Sequence, residues 1–414
     1  MRIAYLTGRY PEVSHTFIMR EVGALRRLGV DVRTFSLWRT SEAQLVSEAD
    51  RVEHERTYHV LPLRACHVLA AVSRALLTRP RRLASTVIRA LRLARPGARG
   101  LAMGALWSLE AAIIWDRCCR VGVRHLHAHL NGSAPSVALL AAHLGNDPGE
   151  RRAWTWSLTV HGPAEFYDVA GEALEAKVRD ADVVVAISDF ARSQLMALVD
   201  HSCWEKIRVV HCGVDPRAFA PVSPGERRHG PLRILNVSRL APTKGNAVLL
   251  EAIADLARRG VDVAATVVGD GVERDRLERL AARLGVGGRV TFAGAVGQDV
   301  IRQYYLDADV FCLPSFAEGV PVVLMEAMAM QLPVVATRVM GVGELVEDRV
   351  NGLLLPPGRS DLLADAVASL AADADLRQRL GQSGRQKVLA DFALDASAEQ
   401  LERIFASVLG RATR

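Results

Sequence analysis

Lysine is nearly absent from this 414-residue chain: of its 52 Lys and Arg residues, only Lys177, Lys206, Lys244 and Lys387 are lysines. The skew, with abundant Ala, reads as a coding bias toward Arg and Ala, and it makes an isolated Lys more informative about chemistry. Six cysteines are present, Cys66, Cys118, Cys119, Cys203, Cys212 and Cys312, with no Cys-x-x-Cys pair and no paired framework. That excludes a disulfide scaffold and suits buried thiols in a reducing compartment. Uninterrupted apolar runs of about 18 residues are missing too, so no membrane-spanning helix is expected. The nearest candidate, Ala102 to Trp115, is broken by Glu110. The apolar run after Met1 is too short for a signal peptide, and a cytoplasmic location is expected.

Acid is also missing, but locally. From Arg56 to Leu109 there is no Asp or Glu, and there are ten Arg. The formal net charge of +6 comes from that stretch; the remainder carries 42 basic against 46 acidic residues, or −4. A basic protein invites a nucleic-acid reading, but no finger, RNP or helix-turn-helix motif accompanies these Arg, and no nucleic-acid partner is expected. Arg64, Arg74, Arg81, Arg82, Arg89, Arg92, Arg95 and Arg99 alternate with Leu, Val and Ala runs. The pattern suits amphipathic helices on an anionic bilayer, at the inner face of the membrane, or equally a solvated helical face whose Arg stems cover apolar surface.

What is present is a regular alternation. Short apolar runs at Arg2–Leu6, Val30–Leu37, His125–His129, Trp156–Val160, Val183–Ile187 and Ile207–His211 read as strands, with a helix at Thr16–Leu28 and two or three successive helices between Leu63 and Val121. A Pro-, Gly- and charge-rich stretch, 213–231, reads as a linker. Beyond it, Arg233–Val237, Val263–Val268, Val290–Ala293, Asp309–Leu313, Val334–Thr337 and Gly352–Leu355 repeat the pattern, with helices at Asn246–Arg259 and Glu273–Leu284. Strands alternating with helices imply parallel sheets covered on both faces. Two doubly wound, Rossmann-like α/β domains facing a central cleft are expected: an N-terminal one over 1–212 and a C-terminal one over 232–393. A final helix over 394–414 is expected to cross back to the first. Ligands in such sheets sit beyond the carboxyl ends of the strands.

The sharpest local feature follows the strand ending at Leu313: Glu318-Gly319-Val320-Pro321-Val322-Val323-Leu324-Met325-Glu326. Pro321 suits the first turn of a helix. The N–H groups of Gly319 and Val320 would then face outward with the positive end of the helix dipole, an anion site. Glu318 and Glu326 can accept hydrogen bonds from sugar hydroxyls, so the pair around a helix start suggests a sugar phosphate or nucleotide sugar. Taken alone, the same spacing also fits a helix N-terminal acid and a solvated face. Upstream, Arg239 and Lys244 stand after the first strand of the second domain, where they could neutralise a diphosphate. Three Asp-Ala-Asp triplets, at Asp180–Asp182, Asp307–Asp309 and Asp373–Asp375, fall at strand amino ends or between helices rather than at a ligand site, and no His, Cys or carboxylate cluster has ligand spacing; no metal is expected. His161 ends a strand before Gly162-Pro163, an exposed turn position that favours a site role. His125, His127 and His129 share one face of a strand, where a structural hydrogen-bonding role and a site role are both open for His127 and His129.

Together, Arg239 with Lys244-Gly245, Val268-Gly269-Asp270-Gly271, Glu318 to Glu326, Val342-Gly343-Glu344-Leu345-Val346 and Asn351-Gly352-Leu353-Leu354 resemble the retaining family-4 glycosyltransferases of the GT-B fold, over roughly Val209 to Val367. Tyr10-Pro11-Glu12-Val13-Ser14-His15-Thr16-Phe17-Ile18 resembles the colanic-acid and exopolysaccharide branch. Leu126-His127-Ala128-His129 and Leu158-Thr159-Val160-His161-Gly162 look like further family elements. The resemblance implies transfer of a sugar, with retention and without a metal or other cofactor, from a UDP- or GDP-sugar to a saccharide, lipid-linked or natural-product acceptor. It implies that Arg239, Lys244, Gly319 and Val320 bind the donor diphosphate and that Gly8 faces the phosphate. Glu326 would hold the ribose hydroxyls, and Glu318 and His161 would contact the donor sugar at the reacting centre. Ser14, His15 and His129 fall on the acceptor side. Two other readings share the features: a nucleotide-sugar epimerase or hydrolase on the same fold, and a non-catalytic membrane-associated interaction protein.

Overall fold

A computed structural model describes residues 1–12, 15–147, 153–221 and 230–413. The chain divides into two compact units, Met1–Val210 with Ser397–Arg414, and His211–Ala396. Of the expected linker, residues 213–221, 230 and 231 are described and 222–229 lie outside the described residues. Val214 belongs to the second unit, bridged to Ala393.

The first unit is built on seven parallel strands: β1 (Arg2–Arg9), β2 (Asp31–Trp38), β3 (Tyr58–His59), β4 (His125–His129), β5 (Thr155–Val160), β6 (Val183–Ala186) and β7 (Ile207–Val209), in the order β3-β2-β1-β4-β5-β6-β7. The second has six: β8 (Leu232–Val237), β9 (Val263–Val268), β10 (Val290–Gly294), β11 (Val310–Leu313), β12 (Val334–Thr337) and β13 (Leu353–Leu355), in the order β10-β9-β8-β11-β12-β13. Both share the 3-2-1-4-5-6 order of a doubly wound sheet, so the expected α/β class and its duplication are what the fold shows. Strands buried on both faces read as continuous apolar runs, which is why the sequence pattern located them.

Three differences from the sequence expectation have local causes. β1 runs on to Arg9, because Thr7 and Arg9 keep pairing with Ser36 and Trp38 of β2; Gly8 therefore lies in the strand and not in a loop after it. A helix over Glu48–Arg56 begins at Ser47, whose hydroxyl accepts from Asp50 N–H while the Asp50 carboxylate accepts from Ser47 N–H, a reciprocal cap. Pro321 stands before the helix Val322–Ala329 in extended conformation rather than within its first turn.

Between Ala65 and Val121 the chain forms three helices, Ala65–Thr78, Pro80–Leu93 and Ala98–Val121. The third packs against the other two and against the helix Ser133–Gly145, adds Trp107, Ala111, Ile114 and Trp115 to the core of this unit, and buries Glu110 on the same helix. Among the described residues Glu110 Oε2 has no hydrogen-bond partner, and burial pushes its carboxyl up to about 7. The C-terminal helix Leu394–Thr413 sets Phe405 against Tyr5, His125 and His127 of the first sheet.

A carboxyl whose folded-state pKa is raised binds protons that the unfolded chain releases, so stability falls as pH rises from about 4.5 through about 7. Glu110→Gln is expected to remove that dependence. The variant should match the parent near pH 4.5 and exceed it by roughly 2–3 kcal/mol at pH 8, measured by urea denaturation across pH. A parent-variant difference independent of pH would exclude the buried carboxylate as its source.

Candidate active site

In each sheet the chain reverses direction of strand addition at one place, between β1 and β4 in the first unit and between β8 and β11 in the second. Loops leaving the carboxyl ends of strands on either side of such a reversal diverge and leave a crevice. Of the site residues expected from the sequence, Gly8 and His129 lie on β1 and β4, and Arg239, Lys244, Glu318, Gly319 and Val320 lie on the loops after β8 and β11.

In the second unit, the loop after β8 carries Ser238, Arg239 and Lys244. The loop after β11 carries Ser315, Glu318, Gly319, Val320 and Pro321. An ion pair joins the two: Lys244 Nζ donates to Glu318 Oε1 at 2.6 Å, and Ser315 Oγ donates to the same oxygen at 2.7 Å. Glu318 is 7% exposed, so its charge is held by partners rather than by water. Oε2 is engaged in neither bond. Arg239 is exposed, and among the described residues it makes no ion pair. The helix Val322–Ala329 presents its first turn beside these groups, with unsatisfied N–H donors typical of a helix start.

Close packing of backbone holds the two loops together. Gly245 has φ +63°, and a β-carbon there would stand 2.0 Å from the Pro314 carbonyl oxygen; Gly269, after β9, has φ +132°, and one there would stand 1.9 Å from the Ser238 carbonyl oxygen. Only glycine allows these approaches. Thr337 Oγ1 donates to the Ser315 carbonyl, tying β12 to the same loop.

Glu326 does not lie on a solvated face. It is 3% exposed in the second turn of its helix, and Tyr305 donates its hydroxyl to Oε2 at 2.7 Å. Tyr305 and Ser315 carried no sequence signal, since their roles arise from strand and helix packing across long separations.

In the first unit, β4 and β5 pair in the register His125 with Thr155, His127 with Ser157 and His129 with Thr159. His125 contacts Thr155 Oγ1 and Ser157 Oγ at 2.8 and 2.9 Å; His127 contacts Ser157 Oγ and Thr159 Oγ1 at 2.7 and 3.0 Å. Both are structural, and burial drives both below the usual imidazole range, His125 to about 3. His129 differs. Its Nδ1 lies 2.8 Å from His161 Nε2, and its Nε2 lies 3.2 Å from Glu21 Oε1. His161 packs on Phe17 with centroids 4.5 Å apart; burial, then the neighbouring imidazoles, lower its pKa well below the usual value.

The turn that carries His161 is fixed by a half-buried carboxylate that sequence reading missed. Glu165 accepts from the N–H groups of His161, Gly162 and Asn131. Its burial nonetheless raises its pKa to about 7. Lys177, fully buried, donates to Asn131 Oδ1 and the Gly132 carbonyl at 2.8 Å each, and burial lowers its pKa to about 8. The rarity of Lys does point to Lys177, but to a structural post.

Of the other expected residues, Gly8 is partly exposed, and a β-carbon added there would meet no atom within 4 Å. His15 Nδ1 lies 3.0 Å from Glu12 Oε2, and its ring meets Phe17 edge-on. Ser14 lies outside the described residues. The Asp triplets serve the fold: Asp182 accepts from Trp156 N–H, Asp309 pairs with Arg233 at 2.6 Å, and Asp373 caps a helix by accepting from Leu376 N–H. Asp375 falls in the first turn of that helix, Ala374–Asp391, rather than between helices. Although no cluster had ligand spacing in the sequence, the fold brings Glu21, His127 and His129 together with potential ligand atoms within 4.8 Å of one another.

Residues 223–387 match the family model described as glycosyl transferases group 1. Alpha-D-kanosaminyltransferase of Streptomyces kanamyceticus is 30% identical over 306 residues, covering 70% of this chain and 78% of that protein. The chain belongs to the group 1 glycosyltransferases. This glycosyltransferase is also 27% identical to the amylovoran biosynthesis glycosyltransferase AmsK of Erwinia amylovora over 420 residues, 98% of this chain and 99% of the other. The crystal structure of Anabaena HepE in complex with UDP and glucose superimposes with a TM-score of 0.74 at 20% identity, over 98% of this chain and all of that one. The fold is therefore GT-B, and the family includes exopolysaccharide enzymes among this chain's relatives.

The Gly245 approach gives a direct test of how the site is held. Gly245→Ala should lower stability by about 2 kcal/mol or more, since it combines a left-handed backbone with a carbonyl collision. Gly8→Ala, with open space around it, should leave the urea midpoint unchanged. Equal midpoints for both variants would contradict the packing described.

Proposed function

We propose that this glycosyltransferase moves a sugar from a nucleoside-diphosphate sugar to a hydroxyl of a saccharide, lipid-linked or natural-product acceptor, with retention of anomeric configuration. The observation that carries the reading is the grouping of Arg239, Lys244, Glu318 and the helix start at Val322 on two loops flanking one strand reversal. Cleaving the donor develops negative charge on the departing diphosphate. Arg239 offers a planar fork, Lys244 a point charge, and the Gly319 and Val320 N–H groups backbone donors, so the stabilising charge comes from the protein and no metal is required. Glu318, with Oε2 outside its bonds to Lys244 and Ser315, accepts a hydroxyl of the donor sugar. Glu326 holds ribose hydroxyls, and Gly8 leaves room for phosphate to approach. His161 meets the sugar, while Ser14, His15 and His129 belong to the acceptor side. The nucleoside is uridine or guanosine; HepE, a fold relative, was crystallised with UDP.

A panel of UDP- and GDP-sugars with candidate acceptors, read by mass spectrometry, tests the reading. Transfer should require acceptor, persist in EDTA, and fall on the order of 10²-fold in Lys244→Ala and Arg239→Ala. Gly8→Ala should reduce donor use without loss of stability. Turnover of donor alone at full rate would replace transfer by epimerisation or hydrolysis. Unchanged donor binding in both Glu318→Ala and Lys244→Ala would sink the assignment.

The acid-free segment supports a place for the acceptor. Among the described residues, no helix is long and apolar enough to cross a membrane. The three helices from Ala65 to Val121 expose Leu69, Leu76, Leu77, Ile88, Leu101 and Met103. Arg74, Arg89 and Arg95 are tied to Asp116, Asp180 and Asp168, which makes them structural. Arg64, Arg81, Arg92 and Arg99 are exposed and make no ion pair among the described residues. Exposed leucines beside unpaired guanidinium groups fit an anionic bilayer surface, where a lipid-linked acceptor would reside. Binding to anionic vesicles should weaken with salt and be lost when these four Arg become Gln; binding that ignores salt would reject the surface.

A further inference from the structure

A loop bordering the second unit's site carries a side chain that its backbone does not favour. Directly after β12 the chain turns at Val339-Met340-Gly341-Val342, closed by Val342 N–H donating to the Val339 carbonyl at 3.0 Å. Met340 has φ +43°, and Gly341 has φ −81° and ψ −1°. A positive φ at the first central position, followed by these angles at the second, is the pattern of a type II′ turn, whose first central position is usually glycine. Here the glycine stands one place later, and contact explains it. A β-carbon on Gly341 would lie 2.6 Å from the Gly319 carbonyl oxygen and 3.2 Å from Val320 Cγ2. Glycine at both positions would satisfy the turn, so methionine at 340 is an added cost.

Backbone strain of this kind persists where something offsets it, and it concentrates at ligand sites. Burial offsets it only in part, because Met340 is 37% exposed while Gly341 and Val342 beside it are buried. Its location accounts for more. Thr337 Oγ1 ties β12 to the Ser315 carbonyl, and Gly341 packs on Gly319. Consecutive α-carbons are about 3.8 Å apart, so Met340 stands one residue from a direct contact with the segment that follows Glu318. The groups gathered around that segment are Arg239, Lys244, Glu318 and the N–H donors of the helix start, all charged or polar. A thioether side chain adds what they lack, a polarizable apolar surface. It can pack on C–H groups of a sugar ring and has no hydrogen to give a diphosphate oxygen.

We infer that Met340 is a specificity-determining residue of the donor site, an apolar wall against the C–H face of the donor's sugar, and that it acts on the sugar rather than on the nucleotide. The inference rests on the nucleotide-sugar reading of the site given above; the strain at Met340 does not. The side chain is retained against the preference of its backbone because it recognises part of the ligand that the charged groups leave uncontacted. Nothing in the local sequence marks it, since a methionine before a glycine is unremarkable until the turn and its contact with Gly319 are known.

The test is calorimetric binding of UDP, GDP, UDP-glucose, UDP-galactose, UDP-N-acetylglucosamine and GDP-mannose to the full chain, with urea denaturation of each variant. The nucleotide sugar that the parent binds best should bind roughly tenfold more weakly to Met340→Gly and Met340→Ala, while the affinity for its bare nucleotide stays unchanged. Met340→Leu, which keeps an apolar side chain of similar size, should keep the sugar affinity. Met340→Gly should have a higher urea midpoint than Met340→Ala, because only glycine relieves the backbone. Equal weakening of nucleotide and nucleotide sugar, or a midpoint for Met340→Gly below that of Met340→Ala, would overturn the inference. Sugar binding by the parent that is unchanged in both Met340→Gly and Met340→Ala would sink the role of Met340 alone. A parent that binds none of the six ligands would sink the nucleotide-sugar reading, and the inference with it.

Discussion

The Lys244–Glu318 ion pair is the contact on which the second unit's site depends. It joins the loops after β8 and β11 at the place where those loops would otherwise diverge. Both partners are largely withdrawn from water, so neither can lose the other without leaving an uncompensated charge, a change that costs several kcal/mol in buried pairs. The pair also decides what else the site can contain. With one Glu318 oxygen already serving Lys244 and Ser315, the second is the one that can meet a ligand, and the cation stands ready beside the helix start. Gly245 follows from the same constraint, because the loops can approach this closely only where no β-carbon intervenes, and Gly269 lets the loop after β9 approach the β8 loop in the same way.

The first unit solves a comparable problem with neutral groups. β4 and β5 are central strands of a sheet covered on both faces, yet their register brings three histidines against three hydroxyl residues. Each hydroxyl partner removes the desolvation penalty of an imidazole nitrogen, and the ladder stays neutral because burial holds His125 and His127 unprotonated. Only at the carboxyl end does the pattern change: His129 turns to Glu21 and His161 in place of a hydroxyl. Glu165, half-buried and held by three backbone N–H groups, then fixes the turn that carries His161. A polar ladder thus ends in a polar site, and the transition occurs at the end of the sheet where doubly wound folds bind ligands.

Much of this architecture was legible in the residues. Val263–Val268 and Val334–Thr337 were bounded correctly because strands buried on both faces need uninterrupted apolar runs. The helix at Asn246–Arg258 was located within a residue at its end. The shortest strand was not legible. Tyr58–His59 is two residues long, and the extension of β1 through Gly8 depends on pairing with Ser36 and Trp38, which no local pattern encodes. Glu318, Lys244 and Arg239 stood out by type and place, whereas Tyr305, Glu21 and Glu165 did not, because an isolated Tyr or Glu on a helix or turn looks like any exposed polar residue.

The sequence by itself determined the class of fold, the duplication and the chemical character of the loops after β8 and β11, since these rest on periodicity, on glycine and proline placement, and on charge at strand ends, all local properties of the chain. It also located the acid-free segment. Only the tertiary structure decided which charges are used internally: Arg74, Arg89 and Arg95 are bound to aspartates far away in the chain, while Arg64, Arg81, Arg92 and Arg99 are not. It likewise decided that Glu326 is buried against Tyr305 and that His129 is linked to His161 rather than to a hydroxyl. Burial and pairing are properties of residues separated by tens of positions, and they are set by strand order and register, which no single segment contains.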